Sequence, residues 1–314
     1  MTKSISKCQP DSIYQMIGQN QVKRQVINAV DAAIKKNEVF DSPTLLVGPG
    51  GCGKSQTARC IANMMNAELT TVLAGSISNT SDLSAVFLQQ KANTILFLEE
   101  SSGLCDEVQL ALYLAIDARK VFVNRKNSAP LALDIENFTL LLATTHEFAL
   151  NNSCRQRMKL VLRFSFFSIE ELAGIILQRC SAAAIDIETA APLEIARRSK
   201  GIPRLALNLL NATLRVASSH DDTLITVDHV LSACDLEGID ELGCDSNEQQ
   251  YLKILLDGPV RINIISSKMA LPAKTIEQVI ESDYLIRAGL VTKDEYSRRV
   301  LTPSGTKHAK RLLK

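Results

Sequence analysis

Eight consecutive residues, Gly48-Pro49-Gly50-Gly51-Cys52-Gly53-Lys54-Ser55, fit the pattern G-x-x-x-x-G-K-[ST] in full. A loop of this kind turns several backbone N–H groups inward around one anion, and glycine reaches the required angles without a Cβ penalty. In such a loop Lys54 reaches the β- and γ-phosphates, the Ser55 hydroxyl binds Mg2+, and the backbone from Gly48 to Gln56 cradles the phosphates. ATP and Mg2+ are therefore the expected cofactors. The flanks agree: Thr44-Leu45-Leu46-Val47 is a short apolar run of strand type, and Ala58, Ile61, Ala62 and Met65 recur at helical spacing. The loop then sits at a helix N-terminus, where the dipole favours phosphate. A glycine turn matching by accident would lack these flanks.

Three further groups have side chains suited to nucleotide chemistry. Leu96-Phe97-Leu98-Glu99-Glu100 ends an apolar strand in two carboxylates, about 45 residues after the loop. In phosphate-loop ATPases that place supplies a metal-side acid and a residue acting on the attacking water. Alone, an acidic strand end is ordinary surface; the loop upstream gives it meaning. Ala143-Thr144-Thr145-His146 closes the next strand with polar side chains, at the edge of a parallel sheet where ligands gather. Arg155-Gln156-Arg157 follows in a loop, where an arginine is either solvated surface or a finger offered to a neighbouring subunit's site. His146 has no second His or Cys at metal-ligand spacing.

The elements that must position these groups read as α/β. Strand candidates Thr44–Val47, Leu69–Leu73, Thr94–Leu98, Phe138–Ala143 and Leu160–Phe164 are short and apolar, as buried parallel strands are, and helical patterns fall between most of them. Before them, a polar arm over residues 1–10 leads to a helix from Val22 that Asp41-Ser42-Pro43 ends. Lys120–Val123 and Leu131–Ile135 flank the polar segment Asn124–Pro130 and read as an inserted β-hairpin over residues 120–135. Residues 166–238 read as helices only, Ile169–Ala183, Ala190–Ser199, Pro203–Ser218 and Val227–Cys234, followed by an acidic linker near residue 240. Residues 246–314 read as helix, turn, helix and a basic two-stranded loop, with strands at Leu285–Thr292 and Val300–Thr302, the layout of a winged helix. The expected organisation is a parallel-sheet domain over 1–165, a helical domain over 166–238 and a winged helix over 246–314.

Charge separates along the chain. From Ser246 to Lys314 there are twelve Lys and Arg against seven Asp and Glu, an excess of five positive charges in a chain whose net charge is +1. The final segment carries the positive field, as in a domain that touches nucleic acid. No window of about 18 apolar residues is present and the first ten residues lack the apolar core of a signal peptide, so a cytoplasmic protein is expected. Eight scattered cysteines with no C-x-x-C pair point to buried thiols in a reducing compartment rather than to a zinc or disulfide framework.

On these motifs the sequence resembles the RuvB family of AAA+ ATPases, which drive branch migration of Holliday junctions. The resemblance spans nearly the whole chain. Besides the loop it includes Ile17-Gly18-Gln19, Leu96–Glu100 as Walker B, Ala143-Thr144-Thr145 as sensor 1, Arg155-Gln156-Arg157, and Arg197–Arg204 as sensor 2. In the last domain it includes Gly258-Pro259-Val260, Thr275-Ile276-Glu277 and Tyr284-Leu285-Ile286. It implies an AAA+ fold with a helical lid and a winged helix, and assigns Lys54 and Ser55 to phosphate and metal, Glu99 to the metal side and Glu100 to catalysis. It further implies Thr145 as sensor 1, Arg157 as a trans-acting finger and Arg204 on the γ-phosphate, with Ile17, Gly18 and Pro203 near the adenine. Hexameric rings on duplex or junction DNA, touched by Lys293, Arg298 and Arg299, and a RuvA-like partner at the 120–135 hairpin complete what it implies. Four departures stand out: Glu99 in place of aspartate, Ser101-Ser102 in place of an apolar residue and histidine, His146 in place of arginine, and a wing run Asp294–Arg298 that matches loosely. They keep two alternatives open, a nucleotide-gated DNA-binding module with little turnover and an ATPase of clamp-loader or remodelling type.

Overall fold

Five short apolar segments form one parallel sheet in the order β2-β3-β6-β1-β7: β1 (Thr44–Val47), β2 (Leu69–Leu73), β3 (Ile95–Glu99), β6 (Thr139–Thr144) and β7 (Leu160–Arg163). The computed structural model describes residues 8–40, 43–125 and 128–313. Residues 1–7 of the polar arm, Asp41 and Ser42, and Lys126 and Asn127 inside the hairpin loop lie outside the described residues. Among the described residues no helix is long and apolar enough to cross a membrane. The chain forms two units, one of residues up to Ala183 together with Ile202–Arg204, the other of Ala184–Gly201 and Leu205 onward.

In the first unit every residue of β6 is buried and only Glu99 in β3 is partly exposed, so the runs are apolar because helices cover both faces. The helices are α1 (Asn20–Lys36), α2 (Lys54–Met64), α3 (Thr80–Leu88), α4 (Asp106–Ala118), the short α5 (Asn152–Arg155) and α6 (Ile169–Ala183). Because β1, β6 and β3 are neighbours and parallel, the segments after Val47, Thr144 and Glu99 all emerge on one edge of the sheet. That adjacency brings together groups far apart in sequence. β4 (Lys120–Arg125) and β5 (Ser128–Asp134) pair antiparallel as a separate hairpin, Lys120 opposite Asp134, with Val121 buried and Phe122 half exposed.

The second unit holds α7 (Ala191–Arg197), most of α8 (Pro203–Ser219) and α9 (Val227–Leu236), then α10 (Ser246–Ile254), α11 (Ile262–Met269) and the short α12 (Ala273–Thr275). The helices-only expectation is corrected by a two-residue parallel pair, β8 (Asp186–Ile187) with β9 (Leu224–Ile225), too short to leave a periodic signal. The expected strand from Leu285 is also corrected. After α12 the chain continues as a wide helix through Ile276–Leu285, with the Ile286 amide donating to the Glu281 carbonyl five residues back, and places Ile276, Ile280 and Leu285 in the core. Only β10 (Val291–Lys293) and β11 (Arg299–Leu301) form the wing.

A last helix, α13 (Pro303–Arg311), has no counterpart in the sequence reading. Proline is tolerated in a first helical turn, and Thr302 Oγ1 caps it by accepting the Gly305 amide. Gly305 is there because a Cβ would stand 2.0 Å from the Leu290 carbonyl oxygen.

Residues of the helical segment and the winged helix are tied by polar contacts within this unit. Lys200 pairs with Glu248 with both side chains largely buried, and Arg198 donates to Glu194 and to the Asp240 carbonyl. His308 of α13 bonds Asp240 Oδ2 at 2.8 Å. Two histidine clusters thereby have ordinary structural roles. His229 Nδ1 accepts the Thr226 amide in a capping box, so Nε2 carries the proton and donates to Asp222. Six cysteines are buried, and burial pushes the thiols of Cys154 and Cys180 up to about 11.

Candidate nucleotide site

The loop after β1 is held open by its own backbone. Gly48, Gly51 and Gly53 all take positive φ, and a Cβ on Gly51 would meet Ile202 and Arg204 within 3 Å. Substitution there is opposed both by backbone conformation and by the side chains seated over the loop. Lys54 is 7% exposed and donates to the Gly48 carbonyl at 2.7 Å and the Pro49 carbonyl at 3.0 Å. Burial lowers its proton affinity; Glu100 and Glu99 oppose the shift, and Arg204 adds to it. Two carboxylates and one guanidinium thus act on a single buried ammonium, the charge set of a phosphate site.

The acids and the hydroxyls meet as the sheet order requires. Ser55 Oγ donates to Glu99 Oε1, and Thr145 Oγ1 donates to Glu100 Oε2 at 3.4 Å. Glu100 holds a left-handed φ of 52°, which turns the chain at the end of β3. Sequence reasoning missed what steadies this edge. Ser101 Oγ donates to the Ala143 carbonyl, and Arg163 makes a two-pronged ion pair with Glu147 that holds its carboxyl below the usual range.

Family models match along the chain in the same order: the "Holliday junction DNA helicase RuvB P-loop domain" at residues 8–164, the "RuvB AAA lid domain" at 167–240 and the "RuvB C-terminal winged helix domain" at 241–310. The chain belongs to the RuvB family. It is 30% identical over 308 residues to the Holliday junction branch migration complex subunit RuvB of Thermotoga maritima, covering 96% of this chain and 91% of that protein. It is 31% identical over 310 residues to the subunit of the same name from Campylobacter lari, covering 94% of this chain and 92% of that one. A solved Thermotoga maritima RuvB, titled a Holliday junction branch migration motor, superposes with a TM-score of 0.84 at 30% identity, over 96% of this chain and 98% of that one.

Within this RuvB-family chain the remaining residues divide clearly. Ile17 packs on Gly174 of α6, and Gly18 lies against Phe167 and Glu171, so this segment and the start of α6 form one wall. Gln56 turns its side chain to the Pro10 carbonyl at 2.6 Å, leaving its backbone amide in the first turn of α2 as what it offers a phosphate. Pro203 opens α8, and Arg204 stands beside Gly51. Arg157 is held elsewhere: its Nε bonds Asp117 at 2.5 Å, its Nη1 bonds the Ser153 carbonyl at 2.9 Å, and its guanidinium lies 4.3 Å from the centre of the Tyr113 ring.

In the wing the structure corrects one of three expected DNA contacts. Arg299 is 4% exposed, bonds Glu281 through Nε at 2.8 Å and Glu277 through Nη2, and shares Glu281 with the Tyr251 hydroxyl. Its donors are spent inside the domain. Lys293 stands 3.8 Å from Glu281 with its side chain half exposed, and Arg298 is paired with Asp294 at 2.7 Å at the surface. Arg299→Ala should therefore act on stability, not on salt-dependent DNA affinity. It removes the buried charge partner of Glu281, which keeps the Tyr251 hydroxyl and the more distant Lys293, and losing one partner of a buried pair costs about 3–5 kcal/mol. Urea unfolding checks this; an unchanged midpoint, with weakened DNA binding, would return Arg299 to the contact surface.

Proposed function

We propose that this chain binds and hydrolyses ATP with Lys54, Ser55, Glu99, Glu100, Thr145 and Arg204, and couples turnover to movement along duplex DNA, driving Holliday junction branch migration. The observation that carries the reading is the convergence of the loop, the acidic pair and Thr145 on one edge of the sheet, with Ser55 against Glu99 and Thr145 against Glu100. It stands in a chain similar along nearly its whole length to a protein titled a branch migration motor.

Ser55 and Glu99 are the residues that would hold Mg2+, and they fit it. Both supply oxygen, and two protein ligands leave room for phosphate oxygens and water, the usual habit of this ion. When bound, the ion neutralises charge that builds on the phosphate oxygens. The protein's own groups do the rest. Lys54 gives up two carbonyl partners for phosphate oxygens, and Glu100 accepts a proton from, or orients, the attacking water. Thr145 fixes the Glu100 carboxylate, and Arg204 adds positive charge over the loop.

A homo-hexameric ring is part of the same reading, with Arg157 serving the neighbour's site. The 120–135 hairpin would dock a RuvA-like partner, its half-exposed Phe122 offering apolar surface. Lys293 and Arg298 remain as phosphate contacts of the wing. The deciding experiment is ATP turnover of the full chain alone, with linear duplex and with four-way DNA. Stimulation by DNA is expected. Turnover that is negligible throughout, with ATP still bound, would instead favour a nucleotide-gated binding module.

A further inference from the structure

Strands β3 and β6 separate where the site begins. Their ladder runs from Ile95 opposite Thr139 to Leu98 opposite Leu142 and stops. On its other side β3 stays paired with β2 as far as Glu99 opposite Leu73, and β6 stays paired with β1 as far as Thr144 opposite Val47. A fork opens between the two strand ends, with Glu100 beyond one tip and Thr145 beyond the other.

One side chain spans the fork. Ser101 is 0% exposed, and its hydroxyl donates to the carbonyl of Ala143 at 2.8 Å, one residue past the last ladder pair. The same residue starts the tight turn Ser101–Gly103, where its carbonyl accepts the Leu104 amide at 3.2 Å. Immediately before it stands Glu100 with its left-handed φ of 52°, a conformation that a residue with a Cβ keeps when its surroundings hold it there. The Glu100 to Thr145 hydrogen bond, at 3.4 Å, is near the long limit, where a small shift of either strand end breaks it.

We propose that Ser101 is a positioning residue for ATP turnover: its link to Ala143 closes the fork and sets the Glu100 carboxylate against Thr145. The proposal rests on the reading of Glu100 as the group that acts on water. Ser101 is fully buried, so it acts through its neighbour Glu100. An apolar side chain at this position would have no donor for the Ala143 carbonyl.

The test is steady-state kinetics of the full chain with Ser101→Ala, Thr145→Ala and the double variant, alongside Glu100→Gln. Ser101→Ala should lower kcat by about 10- to 100-fold, since a shift of about 1 Å near the reacting atoms has that effect, with KM for ATP unchanged within about twofold. The double variant should be no slower than the slower single variant, because both changes undo the same alignment. Ser101→Cys, close in volume and a weaker donor, should fall between wild type and Ser101→Ala, and it decides the matter if the alanine variant does not fold. Wild-type kcat in Ser101→Ala, a loss confined to KM, or losses that multiply in the double variant would overturn the proposal. If Glu100→Gln turns over normally, the underlying reading of Glu100 fails with it; if Glu100→Gln is inactive and Ser101→Ala is not impaired, only the role of Ser101 fails.

Discussion

Lys54→Ala is expected to abolish nucleotide binding, whereas Glu100→Gln is expected to keep ATP bound and lose turnover by about 10²- to 10⁴-fold, the range for a positioned acid–base group. The two differ because the residues meet different charges. The Lys54 ammonium is buried, with two carbonyl oxygens as its hydrogen-bond partners among the described residues, and its burial lowers its proton affinity. A buried cation in that state is improved by an arriving phosphate, and a nucleotide arriving without it loses the charge seated inside the loop and keeps the loop amides and Arg204. Glu100 is exposed at the mouth of the fork and contacts Thr145, so its amide analogue preserves shape and removes only the carboxylate's basicity. Equilibrium binding of a fluorescent ATP analogue, with phosphate release measured on the same preparations, separates the two. Equal affinity in wild type and Lys54→Ala would end the phosphate-loop reading.

How much of this was legible beforehand depended on the range of the interaction. The loop is a local code, eight residues whose backbone angles and one long cation suffice, and it was read in full. The runs of β1, β3 and β6 are legible because burial on both faces leaves few polar positions to confuse them; β2, only partly buried, is legible from its β-branched and apolar residues, and the sequence bounds of β1 and β2 match to the residue. Parallel neighbours then carry Glu99, Glu100 and Thr145 to one edge, an outcome of sheet order rather than of any motif. Glu99 carries its carboxylate one methylene farther from the backbone than the aspartate that the resemblance implies. The structure has that carboxylate accepting the Ser55 hydroxyl directly, so the added methylene still ends at the metal-side group.

What the sequence withheld was long-range pairing between ordinary residues. The resemblance implies Arg299 as a DNA contact, and nothing local says that Glu277 and Glu281, eighteen or more positions earlier, enclose it. Ser101 looked like a loss of family pattern and is a buried bridge to Ala143. Asp117 carried no signal at all, since a carboxylate near a helix end is ordinary; only the folded chain brings it to Arg157.

That last pair shapes the prediction for Arg157, which is expected to work in a neighbouring subunit's site. Within its own chain the guanidinium is tethered by Asp117, the Ser153 carbonyl and the Tyr113 ring, yet its side chain remains about one-third exposed. A partly exposed ion pair is weak, typically worth up to about 1 kcal/mol, so exchanging Asp117 for a phosphate is inexpensive. The tether keeps the arginine oriented while no nucleotide faces it. Arg157→Ala should therefore bind ATP as wild type does and lose about 10³-fold or more of its turnover, as finger arginines do. Mixing Arg157→Ala with Lys54→Ala subunits should restore part of the activity, because some interfaces then join an intact loop on one subunit to an intact arginine on the next. A finger acting within its own chain gives no such rescue: each subunit in the mixture would still lack either the loop lysine or the arginine. Absence of rescue in subunits shown to assemble together would place Arg157 among the residues that merely hold α4 and the following loop in place.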